Sequence, residues 1–403
     1  LHRLAGGVFW KPFPVLRQER TGVNDFVVVG GGVIGMLTAL ELADGGAEVT
    51  LVERGQCGRE ASWAGGGIVS PLYPWRYSAP ISRLSAWSEG FYPTLAERLI
   101  ETTGIDPEYR QQGLLYLNVE DAEQALSWSE EYAKPLTRVE ADFLYDKAPA
   151  VAPGCESALW MPTLGSIRNP RLGKSLRAAL DAHPRVRLLE NVAIQGILLQ
   201  DDTAIGVQTA NSVLSAGQVV VCGGAWSREI LSEAGLALPV RPVRGQMVLF
   251  KAPKGLVERV VLKNGRYVIP RGDGRIVAGS TLEEVGFDKA TTLEARESLI
   301  KSACEIIPAL AECEVEHHWA GLRPGSPTGT PFIGAAPERR HLHVNAGHYR
   351  NGLVLAPAST RLLADQLLGR TPIIDPTPYQ PETLLGEIAT LEASSQPDAT
   401  RWA

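Results

Sequence analysis

The chain has 403 residues, 44% of them hydrophobic and 21% charged, with a net charge of −6. That length allows two domains with large cores, and the acidic balance excludes a protein that grips nucleic acid through a basic face. No run of about 18 apolar residues occurs, which excludes a membrane-spanning helix, and the five cysteines (57, 155, 222, 304 and 313) lack any ligand spacing, so they predict free thiols in a reducing, cytoplasmic setting.

Residues 1–24 read as an N-terminal extension, because Lys11, Pro12 and Pro14 interrupt every apolar run and leave no secretory core. Phe26 to Val29 is an uninterrupted β-branched and aromatic run, as in a strand buried on both faces. A helix is predicted over 33–44, with Leu37, Ala39, Leu40, Leu42 and Ala43 apolar, and Gly45-Gly46 stops it. A second strand at 48–52 ends at Glu53 and completes a βαβ unit. Residues 54–72 form a loop rich in Gly, Ala and Ser, followed by helical stretches at 80–103, 120–133 and 170–182. Segments 186–189, 192–200 and 203–209 read as a β-meander placed before a strand at 218–222, which ends in Gly223-Gly224. Three long strands are predicted between 240 and 280, with Asn264-Gly265 marking a type I′ hairpin. A helix at 291–306, a strand at 314–320 and a last helix at 353–368 follow, and the Pro-, Thr- and Ser-rich tail after Thr371 reads as irregular.

The chemistry begins at Gly30-x-Gly32-x-x-Gly35. The first glycine permits a tight turn, the second lets backbone approach a pyrophosphate, and the third packs helix on strand. Amide N–H groups at the helix start, around Val33 and Ile34, then attract phosphate. Glu53 stands 23 positions after Gly30, near the spacing of about 20 expected for an acid that takes ribose hydroxyls. Arg54 beside it reads either as a stack for adenine or as a surface arginine. The run from Ala61 through Ser62 to Gly65, Gly66, Gly67 and Ile68 is small enough for backbone to lie against a flat ring. Arg323 and Arg350 lie in glycine-rich, apolar surroundings where a guanidinium pairs a carboxylate, and Tyr267, two residues past the hairpin turn, offers a hydroxyl to the same group. The alternative reading for both arginines is a structural ion pair. Amides of the stretch Gly347–Gly352, with His348 in it, are placed to stabilise negative charge on a reduced ring. No metal site is expected at His317-His318 or at His341 and His343, since no other ligand falls at the needed spacing. No nucleophile–base arrangement stands out either, which suits cofactor chemistry in which the protein orients the substrate and excludes water.

These segments resemble the D-amino-acid-oxidase-type flavoproteins, and most closely their glycine-oxidase branch, which serves the thiamin thiazole pathway. The resemblance runs from about Asp25 to Gly369. It rests on DFVVVGGGVIGMLTALELADGGAEVTLVER, ASWAGGGIVSP, VVVCGGAWS at 219–227, PVRGQM at 242–247, and HHWAGLRPGSPTGTPFIG through AGHYRNGLVLAPAS. It implies an α/β (α+β overall) molecule: a glutathione-reductase-like FAD-binding Rossmann domain (25–72, 152–236 and 320–372), an antiparallel-sheet substrate domain (73–151 and 237–319) and a C-terminal tail (373–403). By resemblance Arg323 pairs the substrate carboxylate, Tyr267 hydrogen-bonds it, and Arg350 stands near the amino group. Backbone at Gly65–Ile68 and at Arg350, Asn351, Gly352 and Leu353 frames the isoalloxazine. Val192 meets adenine through its main chain, and Cys222, Gly223, Gly224 and Trp226 belong to the cofactor side. Covalent relatives hold flavin through Cys or His near these motifs; 61–71 and 323–334 contain neither, so noncovalent FAD is expected.

The resulting expectation is an oxidase that takes a hydride from a small amino acid such as glycine and passes the electrons to O2. The products are glyoxylate, ammonia and hydrogen peroxide. The imine is alternatively handed to a thiazole synthase, and relatives imply a homotetramer. Three other readings stand beside it: a D-amino-acid dehydrogenase with a quinone acceptor, a sarcosine-oxidase-like secondary amine oxidase, and a non-catalytic flavin-binding protein.

Overall fold

The computed structural model describes residues 24–394. Apart from its last residue, the N-terminal extension expected at 1–24 lies outside them. Two eight-stranded sheets organise the chain. In the first, β1 (Asn24–Val29) pairs in parallel with β2 (Val49–Val52) and with Val213–Val221. Val186–Leu189 extends it beyond β2, and Leu342–Ala346 pairs in parallel along the other edge of Val219–Val221. The start of Val213–Val221 peels away to pair with the hairpin Ile194–Gln200/Thr203–Thr209, the expected meander.

Helix α1 (Val33–Asp44) is buried along nearly its whole length. It therefore has no polar face, as befits a helix covered on all sides. It lies between the parallel sheet and the helix Gly352–Leu367. Pro357 interrupts that second helix and removes the N–H that would bond Leu353 O. The Tyr92 hydroxyl supplies the missing donor at 2.5 Å, and Ser88 Oγ accepts from Ala358 N–H at 2.9 Å. Both repairs come from Ala79–Thr103.

The second sheet runs in the order Glu314–Gly325, Arg241–Lys251, Arg275–Gly279, Arg266–Pro270, Val260–Lys263, Leu114–Leu117, Ser157–Met161, Thr137–Glu140. All neighbours are antiparallel except Val260–Lys263 with Leu114–Leu117. Asn264 and Gly265 both have positive φ (50° and 74°), as a type I′ turn requires.

Several expectations need correction. The 240–280 region holds four strands, not three, because Gly272–Gly274 breaks the last run. The 54–72 loop contains a short helix, α2 (Glu60–Ala64). The tail is not wholly irregular: Pro381–Ser394 is a helix that buries Leu384 and Ile388 in the core of the first sheet. The helix Ala79–Thr103, assigned to the substrate domain, buries Ile81, Leu84, Tyr92, Leu95 and Leu99 in the core of α1. The strand Ser157–Met161, assigned to the FAD domain, pairs inside the second sheet.

Candidate active site between the two sheets

Two clefts, each enclosing about 1110 Å³, share Gly32, Ala61, Ser62, Cys222 and Gly224 and so form one trough. One end opens at the C-terminal edge of the parallel strands, where ligands bind in open α/β sheets. Gly30 turns there with φ 109°, and a Cβ on Gly35 would stand 1.8 Å from Gly30 O. Only glycine allows that closeness of helix to strand. No acid occupies the first turn of α1, and Val33 N–H donates to Ser62 Oγ at 2.9 Å. Glu53 faces this end, its two oxygens accepting from Gly31 N (2.6 Å) and Gly55 N (2.8 Å). Val192 also lines it; its N–H is bonded to Glu53 O at 2.9 Å. Trp226 closes the side, with the Arg54 guanidinium 3.7 Å over its ring. Arg54 thus stacks on a protein aromatic, and Phe287 stacks on the same indole at 5.4 Å.

In the middle of the trough the carbonyls of the 61–67 run are turned to protein partners. Ala61 O accepts from Gly65 N, Ser62 O from Asn169 Nδ2, Ala64 O from Trp319 Nε1, Gly66 O from Arg271 Nη2, and Gly67 O from Ile167 N. The N–H groups of Gly66 and Gly67 have no protein acceptor among the described residues. Three further buried polar atoms on residues lining this cleft lack a hydrogen-bond partner: Asn345 Nδ2, a donor, Asn169 Oδ1, an acceptor, and the Ser70 hydroxyl, which can be either. Buried polar atoms are normally paired, so spare donors and an acceptor around a Gly-lined slot fit the N–H and C=O edge of a flavin ring. Opposite lie Tyr349, Arg350, Asn351, Gly352, Leu353 and the start of the 352–367 helix, whose first turn holds no acid.

His348 is a satisfied histidine rather than a source of charge. It is buried, with Nε2 2.7 Å from Ser359 Oγ, and burial pushes its pKa down to about 3. Since the Ser359 hydroxyl already donates to Asn345 Oδ1 at 2.6 Å, Nε2 carries the proton and the ring is neutral. It therefore orders Asn345 through Ser359 and adds no positive charge to the site. Cys222 is also buried, and burial pushes its thiol up to about 12.

At the far end, strand Glu314–Gly325 projects Arg323 beside Ser280 and Tyr267. The neighbouring strand makes room: a Cβ on Gly245 would fall 2.0 Å from Arg323 Nη1. Arg323 Nη1 donates to Arg244 O (3.2 Å) and Thr281 O (3.1 Å), and Nη2 donates to Ser280 Oγ (2.9 Å). A guanidinium has five N–H donors. Three are used on neutral oxygens, which leaves Nε–H and one Nη2–H, the pair that a carboxylate takes with two parallel bonds. No acid pairs with Arg323 among the described residues, and burial lowers its pKa from the ordinary value. Arg323 is half-buried, and a charge partly withdrawn from water gains from a counterion; a bound carboxylate supplies one. The Tyr267 side chain is buried, its hydroxyl makes no hydrogen bond among the described residues, and it lines the same cleft. Arg350 lies at the exposed rim, also without an acid partner among them. No Asp or Glu lines this cleft.

Arg323, Tyr267 and Arg350 therefore come together, as do Gly65–Ile68 with Arg350–Leu353. Ile68 lines the cleft and Met247 abuts Gly66 and Gly279, whereas Leu262 is fully buried in the second sheet's core. Sequence reasoning missed Asn169, Asn345, Ser280 and Arg271. Asn345 had a signal, a polar residue inside an apolar strand just before Ala346-Gly347. Arg271 had none, since only the folded chain brings it to Gly66.

A profile of the FAD dependent oxidoreductase family (DAO) matches residues 25–366. The chain is 52% identical over 360 residues to a glycine oxidase of Pseudomonas putida, covering 89% of this chain and 99% of that one. It is 30% identical to a bifunctional ThiO/ThiG protein of Nostoc, covering 86% of this chain and 53% of the longer protein. The crystal structure of glycine oxidase from Geobacillus kaustophilus superposes with a TM-score of 0.84 at 31% identity, covering 89% of this chain and 98% of the other. The glycine turn, the ring-sized slot and these matches lead to one conclusion: the chain belongs to the FAD-dependent oxidoreductase family and uses FAD.

Proposed function

We propose that the chain is an oxidase of glycine and other small amines or D-amino acids: glycine + O2 + H2O → glyoxylate + NH3 + H2O2. The observation that carries this reading is the half-buried, acid-free Arg323 with two N–H donors left over beside the free hydroxyl of Tyr267. Arg323 takes the substrate carboxylate with two bonds and Tyr267 donates a third, which fixes the α-carbon over the Gly66–Gly67 slot. FAD held in that slot would supply the two-electron acceptor for this carbon, with oxygen as the final oxidant. The lining has no carboxylate to serve as a base for the α-proton, so the protein's part is orientation and exclusion of water. Arg350 and the amides at the start of the 352–367 helix favour negative charge on the other side of the slot. Neither Cys222 nor His348 is free to form a bond to flavin, and this supports noncovalent FAD. The P. putida relative supports glycine as substrate. The fused ThiO/ThiG relative supports release of the imine toward a thiazole synthase in thiamin formation. We place the enzyme in the cytoplasm as a homo-oligomer; among the described residues no helix is long and apolar enough to cross a membrane.

The test is a panel of glycine, sarcosine, D-alanine and D-proline with the purified yellow protein, reading peroxide against oxygen consumed. Stoichiometric peroxide is expected; reduction without peroxide, reversed by a quinone, points to a dehydrogenase. Arg323→Ala is expected to lower kcat/KM for glycine by about 100-fold or more, because removing one partner of a buried charge pair costs roughly 3–5 kcal/mol. A near-normal rate in that variant refutes the assignment.

A further inference from the structure

We infer that Glu283, which does not reach the cleft, is the positioning residue that sets Arg323 for carboxylate binding. The inference rests on the reading of Arg323 given above. Arg323 is held by the Arg244 carbonyl, the Thr281 carbonyl and the Ser280 hydroxyl. Two of these acceptors belong to the segment that follows the strand Arg275–Gly279, and Glu283 fastens this segment to the strand Arg241–Lys251. Its backbone exchanges two hydrogen bonds with Arg244, at 2.8 and 3.0 Å. Its carboxylate receives Arg244 Nη2 (2.6 Å) and Nε (3.1 Å) on Oε2, and Gln246 Nε2 (2.9 Å) and Thr281 Oγ1 (2.5 Å) on Oε1. Arg244 and Gln246 are buried, and Thr281 Oγ1 also accepts Gln246 N–H at 2.8 Å.

Every acceptor that fixes Arg323 Nη1 thus belongs to a residue whose side chain bonds Glu283. Burial works against the Glu283 charge, but the hydrogen bonds from Thr281, Arg244 and Gln246 outweigh it and hold its pKa below the ordinary carboxylate value. The anion is satisfied behind the cleft wall, so it orders the clamp without occupying the place of the substrate. Charge-assisted bonds of this kind are about twice as strong as neutral ones, and a side-chain amide at 283 turns at least one acceptor into a donor facing Arg244 or Thr281.

The experiment uses the FAD-loaded protein and acetate, an inert carboxylate, titrated against the flavin absorbance spectrum. For Glu283→Gln, the acetate Kd and the glycine KM should rise together by about tenfold. kcat should stay within about threefold of the unaltered protein, as expected when ground-state and transition-state binding are lost equally, with FAD affinity unchanged. A purely structural role would instead lower kcat, FAD affinity and melting temperature while leaving acetate affinity per loaded site intact, and that result overturns the inference. If Glu283→Gln fails to fold, Thr281→Val removes the hydroxyl, and with it the bond to Glu283 and the one from Gln246 N–H. A weakened acetate Kd in it supports the inference, and an unaltered one overturns it. Should the unaltered protein itself bind no acetate, it is the reading of Arg323 that fails.

Discussion

At the phosphate end of the trough, the means of holding an anion lie in one short stretch, Val29 to Gly35. They are backbone amides and a helix terminus, with Glu53 joining from the next strand. At the carboxylate end, a single guanidinium depends on Gly245 from the neighbouring strand and on Ser280 and Thr281 from the loop after Arg275–Gly279. The first end is built by local backbone geometry and tolerates no added atom at Gly30 or Gly35. The second is built by side chains held across a sheet, so its parts can be disturbed one at a time. The largest expected effect belongs to the first end. Gly35→Ala places a Cβ 1.8 Å from Gly30 O, a backbone atom that cannot turn aside. The variant is expected to purify without flavin absorbance; a fully yellow preparation would show that helix and strand can separate at no loss.

Gly245→Ala attacks the other end. Its Cβ meets Arg323 Nη1 at 2.0 Å, but the atoms it meets terminate a side chain, which can move. FAD content should stay normal while kcat/KM for glycine falls by about 100-fold, the cost of roughly 1 Å of misplacement at a reacting group. Loss of FAD in this variant would mean that the two ends are not separable.

The same contrast explains what the sequence could tell. The βαβ unit, the Asn264-Gly265 hairpin and the meander were legible because spacing and local propensity dictate them. Helix α2 was not: five residues have too little intrinsic stability to be helical alone. They are held by Trp319 and Asn169, which arrive from more than a hundred positions away. Arg323 and Tyr267 were legible as chemistry, a cation and a phenol in apolar company, and through family resemblance. Their supports, Ser280 and Glu283, read in sequence as ordinary surface polar residues. The state of His348 was not legible, because it depends on Ser359 and Asn345, which only the fold supplies. The packing of Ala79–Thr103 on the helix Gly352–Leu367 was not legible for a related reason, since the need to mend that helix at Pro357 is invisible until Tyr92 is seen beside Leu353.

His348 gives a prediction of intermediate size about stability. Its folded-state pKa, about 3, lies below the ordinary 6.5, so the unfolded chain takes up the proton first. Its contribution is therefore complete above about pH 6.5 and is lost as pH falls toward 3, at about 1.4 kcal/mol per pH unit. Between pH 7 and pH 5 that amounts to roughly 2 kcal/mol. His348→Gln, which can still donate to Ser359, should melt with a visibly flatter acid dependence. His343, pushed down to about 4 by burial and by His341, keeps part of the slope in both proteins. Identical slopes would mean that His348 takes up its second proton as readily in the folded state as in the unfolded chain.

The smallest effect sharpens the comparison most, because it concerns a loop that touches both ends. After Glu283 the chain carries Phe287 onto Trp226 and Lys289 onto Glu60 of α2, at 3.0 Å. Trp226 flanks the phosphate end with Arg54 on its ring. Phe287→Ala removes an aromatic contact of a kind worth about 0.5–1.5 kcal/mol, so FAD should bind about 2- to 10-fold more weakly, read by quenching of flavin fluorescence on titrating FAD into apoprotein. At saturating FAD, the glycine KM should not change, because the acceptors of Arg323 are fixed upstream at Ser280 and Thr281. A raised KM with unaltered FAD affinity would mean that the whole of 280–290 serves the carboxylate, and that the phosphate end needs only its own backbone.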